Sequence, residues 1–362
     1  MNALVKVKHG PDCMRYMEVP EPVPGDDDLK VRVYACGICG TDIHLMHDAY
    51  PSKPPIITGH EFSGVVTEVG KNVKNFKPGE KIVTLTAVET CEDCLWCRLG
   101  HRMLCAERKS VGSGRNGGFA EYVVIPARHA FHIPEGVSLR TAALCEPLAC
   151  VCRGVCERTS IKAGDYVLVA GAGTMGQLTA QVAQANGAVV IMTGLKRDAE
   201  RFELAKRLGV YRTVCVEEGD PLGQIMELTD GMGVQVAFEC SGAGASVDFC
   251  LRALTKTGSY TQIAIPGKPI SFDMDTALYK EINISNSYAS ERTSWMIALR
   301  LLEKKLIHID DLISAVLPLE QWEEGFQQTI EKKSFKVLLM PGAAEAGEYC
   351  FRQRDTKCAD RA

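Results

Sequence analysis

No stretch of this sequence approaches the roughly 18 consecutive apolar residues needed to cross a bilayer. Nor does any segment carry a stripe of lysine and arginine. The 41 basic and 45 acidic side chains leave a formal net charge of −4. That gives no electrostatic case for a nucleic acid or an anionic membrane as partner. The opening, MNALVKVKHGPD, lacks the continuous apolar core of a secretory leader, so a cytoplasmic protein is expected. There is no internal repeat at solenoid periods and no low-complexity block, which argues against a stacked-repeat array.

Cysteine, by contrast, is plentiful. Sixteen cysteines without a leader point to a reducing compartment, with thiols free or metal-bound rather than paired. Four fall in fifteen residues, Cys91-x2-Cys94-x2-Cys97-x7-Cys105. Thiolates at this spacing can converge on one tetrahedral ion, and four sulfur donors with no open position describe a structural zinc site. The competing reading is ordinary thiols in a surface loop. Most of the others, such as Cys240 and Cys250, read as small buried hydrophobes.

At 362 residues, 46% hydrophobic and 24% charged, the chain suggests about two globular domains. Up to about residue 150, short apolar segments (Leu29–Tyr34, Gly64–Val69, Lys81–Thr86, Ala120–Ile125) alternate with Gly- and Pro-rich turns, which predicts a β-rich, barrel-like domain. After Ser160 the period changes. Strands at 165–170, 188–193, 210–216, 234–239 and 258–263 are interleaved with helical patterns at 177–185 and 200–208, as in βαβ units with a parallel sheet. Helices at 295–304 and 319–329 then precede a last strand, Lys336–Met340. The end, 343–362, has no periodicity and reads as a flexible tail.

Between the first of these strands and its helix lies Gly171-Ala-Gly173-Thr174-Met175-Gly176. A GxGxxG sequence carries weight only in this strand–turn–helix context, where its glycines allow a tight turn, close approach of a pyrophosphate and helix–strand packing. The second strand ends in Thr193-Gly194-Leu195-Lys196-Arg197, without the acidic residue that usually contacts the adenosine ribose. A small residue followed by two cations leaves room and charge for a 2′-phosphate, so NADP is favoured, with NAD possible. On the other reading Lys196 and Arg197 are solvated loop charges and cofactor choice is relaxed; Asp198 and Glu200 stand close enough to offset the positive field.

Cys39-Gly-Thr41-Asp42-Ile-His44 and Gly59-His60-Glu61-x2-Gly64-x5-Gly70 lie upstream of the four-cysteine run. With the glycine motif, this ordered set resembles the zinc-dependent medium-chain alcohol dehydrogenase family over nearly the whole chain up to Pro341. Cys145-Glu146-Pro147-Leu148 resembles its sorbitol and polyol dehydrogenase branch. The resemblance implies an α/β protein with a GroES-like catalytic domain (1–155 and 289–342) and a Rossmann dinucleotide-binding domain (156–288). It implies two zinc ions per chain. Cys91, Cys94, Cys97 and Cys105 would hold the structural one; Cys39 and His60 would hold the catalytic one, with Glu61 and Glu146 beside it and their division of labour open. Thr41 would take the proton of a substrate hydroxyl, and His44 would pass it to solvent; as a loop residue, His44 is equally readable as a backbone partner.

The same resemblance implies hydride transfer between the cofactor and a secondary alcohol of a polyol, sugar alcohol or cyclitol. A short-chain diol or L-threonine is the alternative, and a non-catalytic zinc-bearing scaffold is the alternative of another class. The loop 45–57 and the segment 115–119 are expected to border the cleft, with Tyr50, Phe119 and Glu146 lining it. Arg292 is either an anion contact or a helix-start ion pair with Glu291 or a neighbour. A homodimer or homotetramer is expected by resemblance alone.

Overall fold

The computed structural model of the protein describes residues 1–342; the expected tail, 343–362, lies outside the described residues. The Gly- and Pro-punctuated first part folds around one long strand, β3 (Asp28–Gly37). It pairs antiparallel with β5 (Glu61–Val69), β9 (Tyr122–Pro126) and β18 (Lys336–Met340). β5 continues to β6 (Lys81–Thr84) and β10 (Ala130–His132), while β17 (Ile313–Pro318) runs parallel outside β18. The last strands of the described chain thus complete the sheet that its first long strand began. Leu29, Val31, Val33, Phe62, Ile82, Val123 and Leu339 form its apolar core.

Two smaller sheets flank it. β1 (Asn2–Lys6) lies between β2 (Met14–Glu18) and β4 (Ile56–Ile57). β7 (Ala87–Glu89) pairs with β8 (Lys109–Ser110), and the four-cysteine segment loops out between these two strands.

The second half contributes a six-stranded, all-parallel sheet from β11 (Tyr166–Ala170), β12 (Val189–Gly194), β13 (Arg212–Cys215), β14 (Val234–Glu239), β15 (Leu254–Gln262) and β16 (Asn283–Asn286). Its order is β13-β12-β11-β14-β15-β16. This is the doubly wound order, in which the crevice beyond the carboxyl ends of β11 and β14, where strand order reverses, receives ligands. β15 begins at Leu254 rather than at 258, with a register irregularity opposite Val234–Val236.

One central helix has no counterpart in the sequence pattern. Cys145–Cys152 is buried on nearly every side and shares a core with Val167, Val169 and Trp295. A helix without a polar face shows no 3.6-residue period, so the pattern could not reveal it. Among the described residues, no helix is long and apolar enough to cross a membrane.

The short helix Gly40–Met46 and the loop after it are pinned to β1. The Lys6 ammonium, fully buried, donates to Leu45 O at 2.6 Å and to Asp48 Oδ1 at 2.5 Å. Lys6 and the Gly10 N–H together hold the Asp48 carboxyl down to about 2. An unfolded aspartate titrates near 3.9, so this contribution to stability is present above about pH 4 and is lost as pH falls toward 2. The Tm difference between the protein and Asp48→Asn is therefore expected to be largest near neutrality and to shrink from pH 4 to pH 2. A difference constant across that range would contradict the pairing.

Candidate metal and dinucleotide site

Cys39 ends the turn after β3 and opens the helix Gly40–Met46, where Asp42 Oδ2 accepts its N–H at 2.9 Å. His60 and Glu61 lie where the chain enters β5. They follow Gly59, whose φ of +86° favours glycine and whose Cβ, if present, would lie 2.7 Å from the Phe119 ring. This turn brings Cys39 Sγ, a His60 nitrogen and a Glu61 oxygen within 4.8 Å of one another. A thiolate, an imidazole and a carboxylate are a donor set for zinc that leaves a coordination position open.

Asp42 is fully buried, and its Oδ1 has no hydrogen-bond partner; it faces His60 Nδ1 at 3.8 Å. A buried carboxylate on that nitrogen leaves Nε2 to face a metal, as in carboxylate–histidine–zinc arrangements. Burial alone would lower the basicity of His60, but the Asp42 and Cys39 charges outweigh it and raise the imidazole well above its usual range. Donors so close together, with an orphaned buried oxygen behind them, fit a cation between them.

Glu61 is also held from behind. The buried Lys336 ammonium, at the start of β18, donates to both its oxygens at 2.8 and 2.7 Å and to Ile38 O at 3.1 Å. Burial opposes the charge on Lys336, and the Glu61 and Cys39 charges restore and raise it. Glu146 lies in the first turn of the central helix, outside the three-donor cluster. Its Oε1 is within 3.4 Å of Thr86 Oγ1 and Cys150 Sγ, and burial pushes its carboxyl upward.

A cavity of about 310 Å³ joins these groups. Cys39, Thr41, His60 and Glu146 line one wall, Met175 and Ile263 the other, so it lies between the two large sheets at the carboxyl end of β11. Thr41 and Tyr50 face it. His44 is exposed at its rim, beside the position a Cβ on Gly267 would occupy. Phe119 does not line it. That ring is fully buried against Phe326, and Ser110–Ser113 take the place expected of 115–119. Arg292 does not line the cavity and does not pair with Glu291. Its guanidinium caps Arg128 O and covers the Phe131 ring, while Glu291 pairs with Arg153.

On the nucleotide side, Gly171 has a φ of +111°, and its N–H donates to Thr193 O at 2.9 Å. A Cβ on Gly176 would lie 1.8 Å from Gly171 O, so this helix packs on its strand only through glycine. A Cβ on Gly173 would meet nothing within 4 Å, which leaves open the face at the helix N-terminus where a pyrophosphate binds. Thr174 Oγ1 donates to Phe335 O at 2.6 Å.

Thr193 and Gly194 close β12, and Lys196 and Arg197 are exposed beyond it. Asp198 is turned away: it accepts the Leu195 N–H and pairs with Arg201. The acidic groups near Lys196 are instead Glu217, which accepts its backbone N–H at 2.6 Å, and Glu218, 3.9 Å from its ammonium.

The sulfurs of Cys91, Cys94, Cys97 and Cys105 also lie within 4.8 Å of one another. The Cys94 N–H donates to Cys91 Sγ at 3.3 Å, and that contact leads in lowering the Cys91 thiol to about 7. Four convergent sulfurs with backbone donors fit one closed structural ion.

Motif reading quoted Asp42 without giving it a task and missed Lys336. The signal for Lys336 was a lone cation in an otherwise apolar strand, Lys336–Met340, where a buried charge needs a partner.

A doubly wound sheet facing a Cys–His–Glu cluster, with a four-sulfur lobe nearby, defines a metal-dependent dinucleotide oxidoreductase. Residues 25–135 match the alcohol dehydrogenase GroES-like domain, and residues 174–304 match the zinc-binding dehydrogenase domain. The chain is 37% identical to a sorbitol dehydrogenase of Halalkalibacterium halodurans, covering 94% of this chain and 99% of that one. It is 34% identical to a D-arabitol-phosphate dehydrogenase of Enterococcus avium, covering 94% and 97%. A zinc-binding dehydrogenase of Sinorhizobium meliloti, solved bound to NADP, superposes with a TM-score of 0.86 at 35% identity over 94% of this chain and 99% of that one. The chain belongs to the zinc-type medium-chain alcohol dehydrogenase family and is a zinc-dependent, NAD(P)-dependent dehydrogenase.

Removing the Lys336 charge leaves Glu61 buried and unpaired. Lys336→Met is therefore expected to destabilise the metal-free protein by about 3–5 kcal/mol, read as a fall in denaturant midpoint. Adding Glu61→Gln should restore part of the loss. Equal destabilisation by the single and double variants would contradict the pairing.

Proposed function

We propose that the protein oxidises a secondary alcohol of a polyol, sugar alcohol or cyclitol, reversibly, with NADP as the preferred cofactor and two zinc ions per chain. The observation that carries this reading is the single cavity in which the Cys39–His60–Glu61 cluster faces Met175 and the end of β15. The polyol relatives support the substrate class, as does a buried carboxylate, Glu146, able to accept a hydrogen bond from a second hydroxyl.

The catalytic unit would comprise 1–155 and 289–342, and the nucleotide unit 156–288. Cys39, His60 and Glu61 hold the catalytic ion, Asp42 orients His60, and Lys336 fixes Glu61. When bound, zinc would supply a Lewis acid that lowers the pKa of an alcohol hydroxyl, and a nicotinamide would supply the hydride acceptor. Thr41, on the cavity wall, takes the hydroxyl proton, and His44, at the rim, releases it to solvent. Gly171, Gly173, Thr174, Met175 and Gly176 seat the pyrophosphate and nicotinamide end. Thr193 and Gly194 make room for the adenosine ribose, and Lys196 and Arg197 meet a 2′-phosphate. The four cysteines of the 91–105 lobe hold the structural ion.

A cytoplasmic homodimer or homotetramer completes the reading. β16 is an edge strand, and Leu278, Tyr279 and Ile284 are exposed around it, which supports pairing through the nucleotide sheets.

Absorbance at the reduced-nicotinamide band, with polyols, cyclitols, diols and L-threonine and both cofactors, tests the substrate class. Turnover should be found among the polyols and abolished by His60→Ala with dinucleotide binding retained; activity in that variant would sink the metal-centred reading. Replacing Lys196 and Arg197 by alanine should lower the NADP/NAD ratio of kcat/KM about tenfold or more, the scale of one lost charge-assisted contact. An unchanged ratio would remove these residues from cofactor selection.

A further inference from the structure

Beyond the metal cluster the cleft opens into a second chamber of about 300 Å³. Tyr50, Arg108, Ser110, Ser113 and Tyr288 line both spaces, so the two adjoin. The outer chamber adds Ser52 and Lys53, and among the described residues no carboxylate borders it.

Its two cations differ from the basic residues next to them. The neighbouring Lys109 and Arg115 both pair with Glu89. Among the described residues, neither Lys53 nor Arg108 pairs with an acidic side chain. Lys53 is exposed, and its position is fixed through its backbone N–H, which donates to Ser113 O at 3.1 Å. Arg108 is anchored without being neutralised: it donates to Met103 O at 2.9 Å and to the Tyr288 hydroxyl at 2.8 Å, with its guanidinium over that ring. The Ser52 hydroxyl is buried at the same place and has no hydrogen-bond partner. A desolvated hydroxyl without a partner carries a cost that a ligand oxygen would remove.

The chamber also keeps a fixed relation to the metal donors. A Cβ on Gly112 or Gly117 would lie 2.9 or 2.1 Å from Gly59 O, so the loop bearing Ser110 and Ser113 presses directly on the turn that presents His60. Two uncompensated cations and three hydroxyls on converging loops suit a tetrahedral dianion, which takes several separate donors. The cofactor's own phosphates have another place, at Gly171–Gly176 and beyond β12, on the opposite wall.

We propose that the outer chamber seats the phosphate of a phosphorylated polyol whose oxidisable carbinol lies at the Cys39–His60–Glu61 cluster, with Lys53, Arg108, Ser52, Ser110 and Ser113 as its donors. This rests on the polyol reading above and makes it narrower: the substrate is a sugar-alcohol phosphate monoester, not a free polyol. The two adjoining spaces together are of the size that small-ligand sites take.

The test has two arms on the zinc-loaded protein. In the first, kcat/KM is measured for five- and six-carbon polyols with and without a terminal phosphate. In the second, sn-glycerol 3-phosphate binding is followed by calorimetry, which needs no turnover. Both are repeated with Lys53→Ala, whose ammonium makes no hydrogen bond or ion pair among the described residues, and with Arg108→Gln, checked by Tm because Arg108 also braces Met103.

The phosphorylated substrates should be preferred. Lys53→Ala should cut that preference and the glycerol phosphate affinity by roughly ten- to a hundredfold, the range for one charge-assisted hydrogen bond. Glycerol phosphate binding that depends on Lys53, with no polyol turned over, would uphold the phosphate seat and overturn the polyol reading. Equal kcat/KM for free and phosphorylated polyols, with no binding of glycerol phosphate, would overturn the seat and leave the polyol reading standing. A Lys53→Ala effect confined to the KM of the cofactor would also overturn it, by giving the chamber to the dinucleotide.

Discussion

The buried pair of Lys336 with Glu61 is the constraint through which the two halves of the cleft hold their positions. Lys336 opens β18, the strand that returns from the end of the described chain to pair with β3. From there it grips both oxygens of Glu61 and the carbonyl of Ile38, next to Cys39. One residue earlier, Phe335 O accepts the Thr174 hydroxyl at the start of the dinucleotide helix. Two successive residues thus tie the Cys39–His60–Glu61 cluster and the glycine-rich turn to a single point. A buried ion pair is rarely a net gain over apolar packing, but it fixes geometry because breaking it is costly.

The rest of the site is arranged around that point by close packing that only certain residues allow. Gly59 and Gly176 are examples: each lies where a Cβ would overlap a neighbour, one presenting His60 and the other setting the dinucleotide helix on β11. The loop 110–117 is pressed on Gly59 in the same way, so the side chains it turns toward the cleft inherit the rigidity of that turn. Reaction chemistry needs this precision, since small displacements of a donor or a reacting group are costly in rate.

Much of this was legible in the sequence because it depends on local chemistry. The four sulfurs of the 91–105 lobe converge as their spacing implies, and GxGxxG falls between β11 and its helix as that motif requires. What was illegible depends on contacts distant along the chain. Lys336 is 275 residues from Glu61, and no periodicity links them. The helix Cys145–Cys152 shows no amphipathic face because it is buried all round. Phe119 was expected in the cleft by family resemblance, yet Gly59 leaves it a space in the core. Asp198 looked able to oppose Lys196 and Arg197, but Arg201 and the Leu195 N–H turn it away, while Glu217 and Glu218 reach Lys196 from the turn after β13.

The account stands on a metal ion lying among Cys39, His60 and a glutamate, in a cleft shared with the dinucleotide. The most direct measurement is anomalous diffraction at the zinc edge from crystals of the zinc-loaded protein. Two peaks are predicted: one among the four sulfurs of the 91–105 lobe, and one within bonding distance of Cys39 Sγ, a His60 nitrogen and an oxygen of Glu61. A single peak in the lobe, with no scattering between Cys39 and His60, would contradict it.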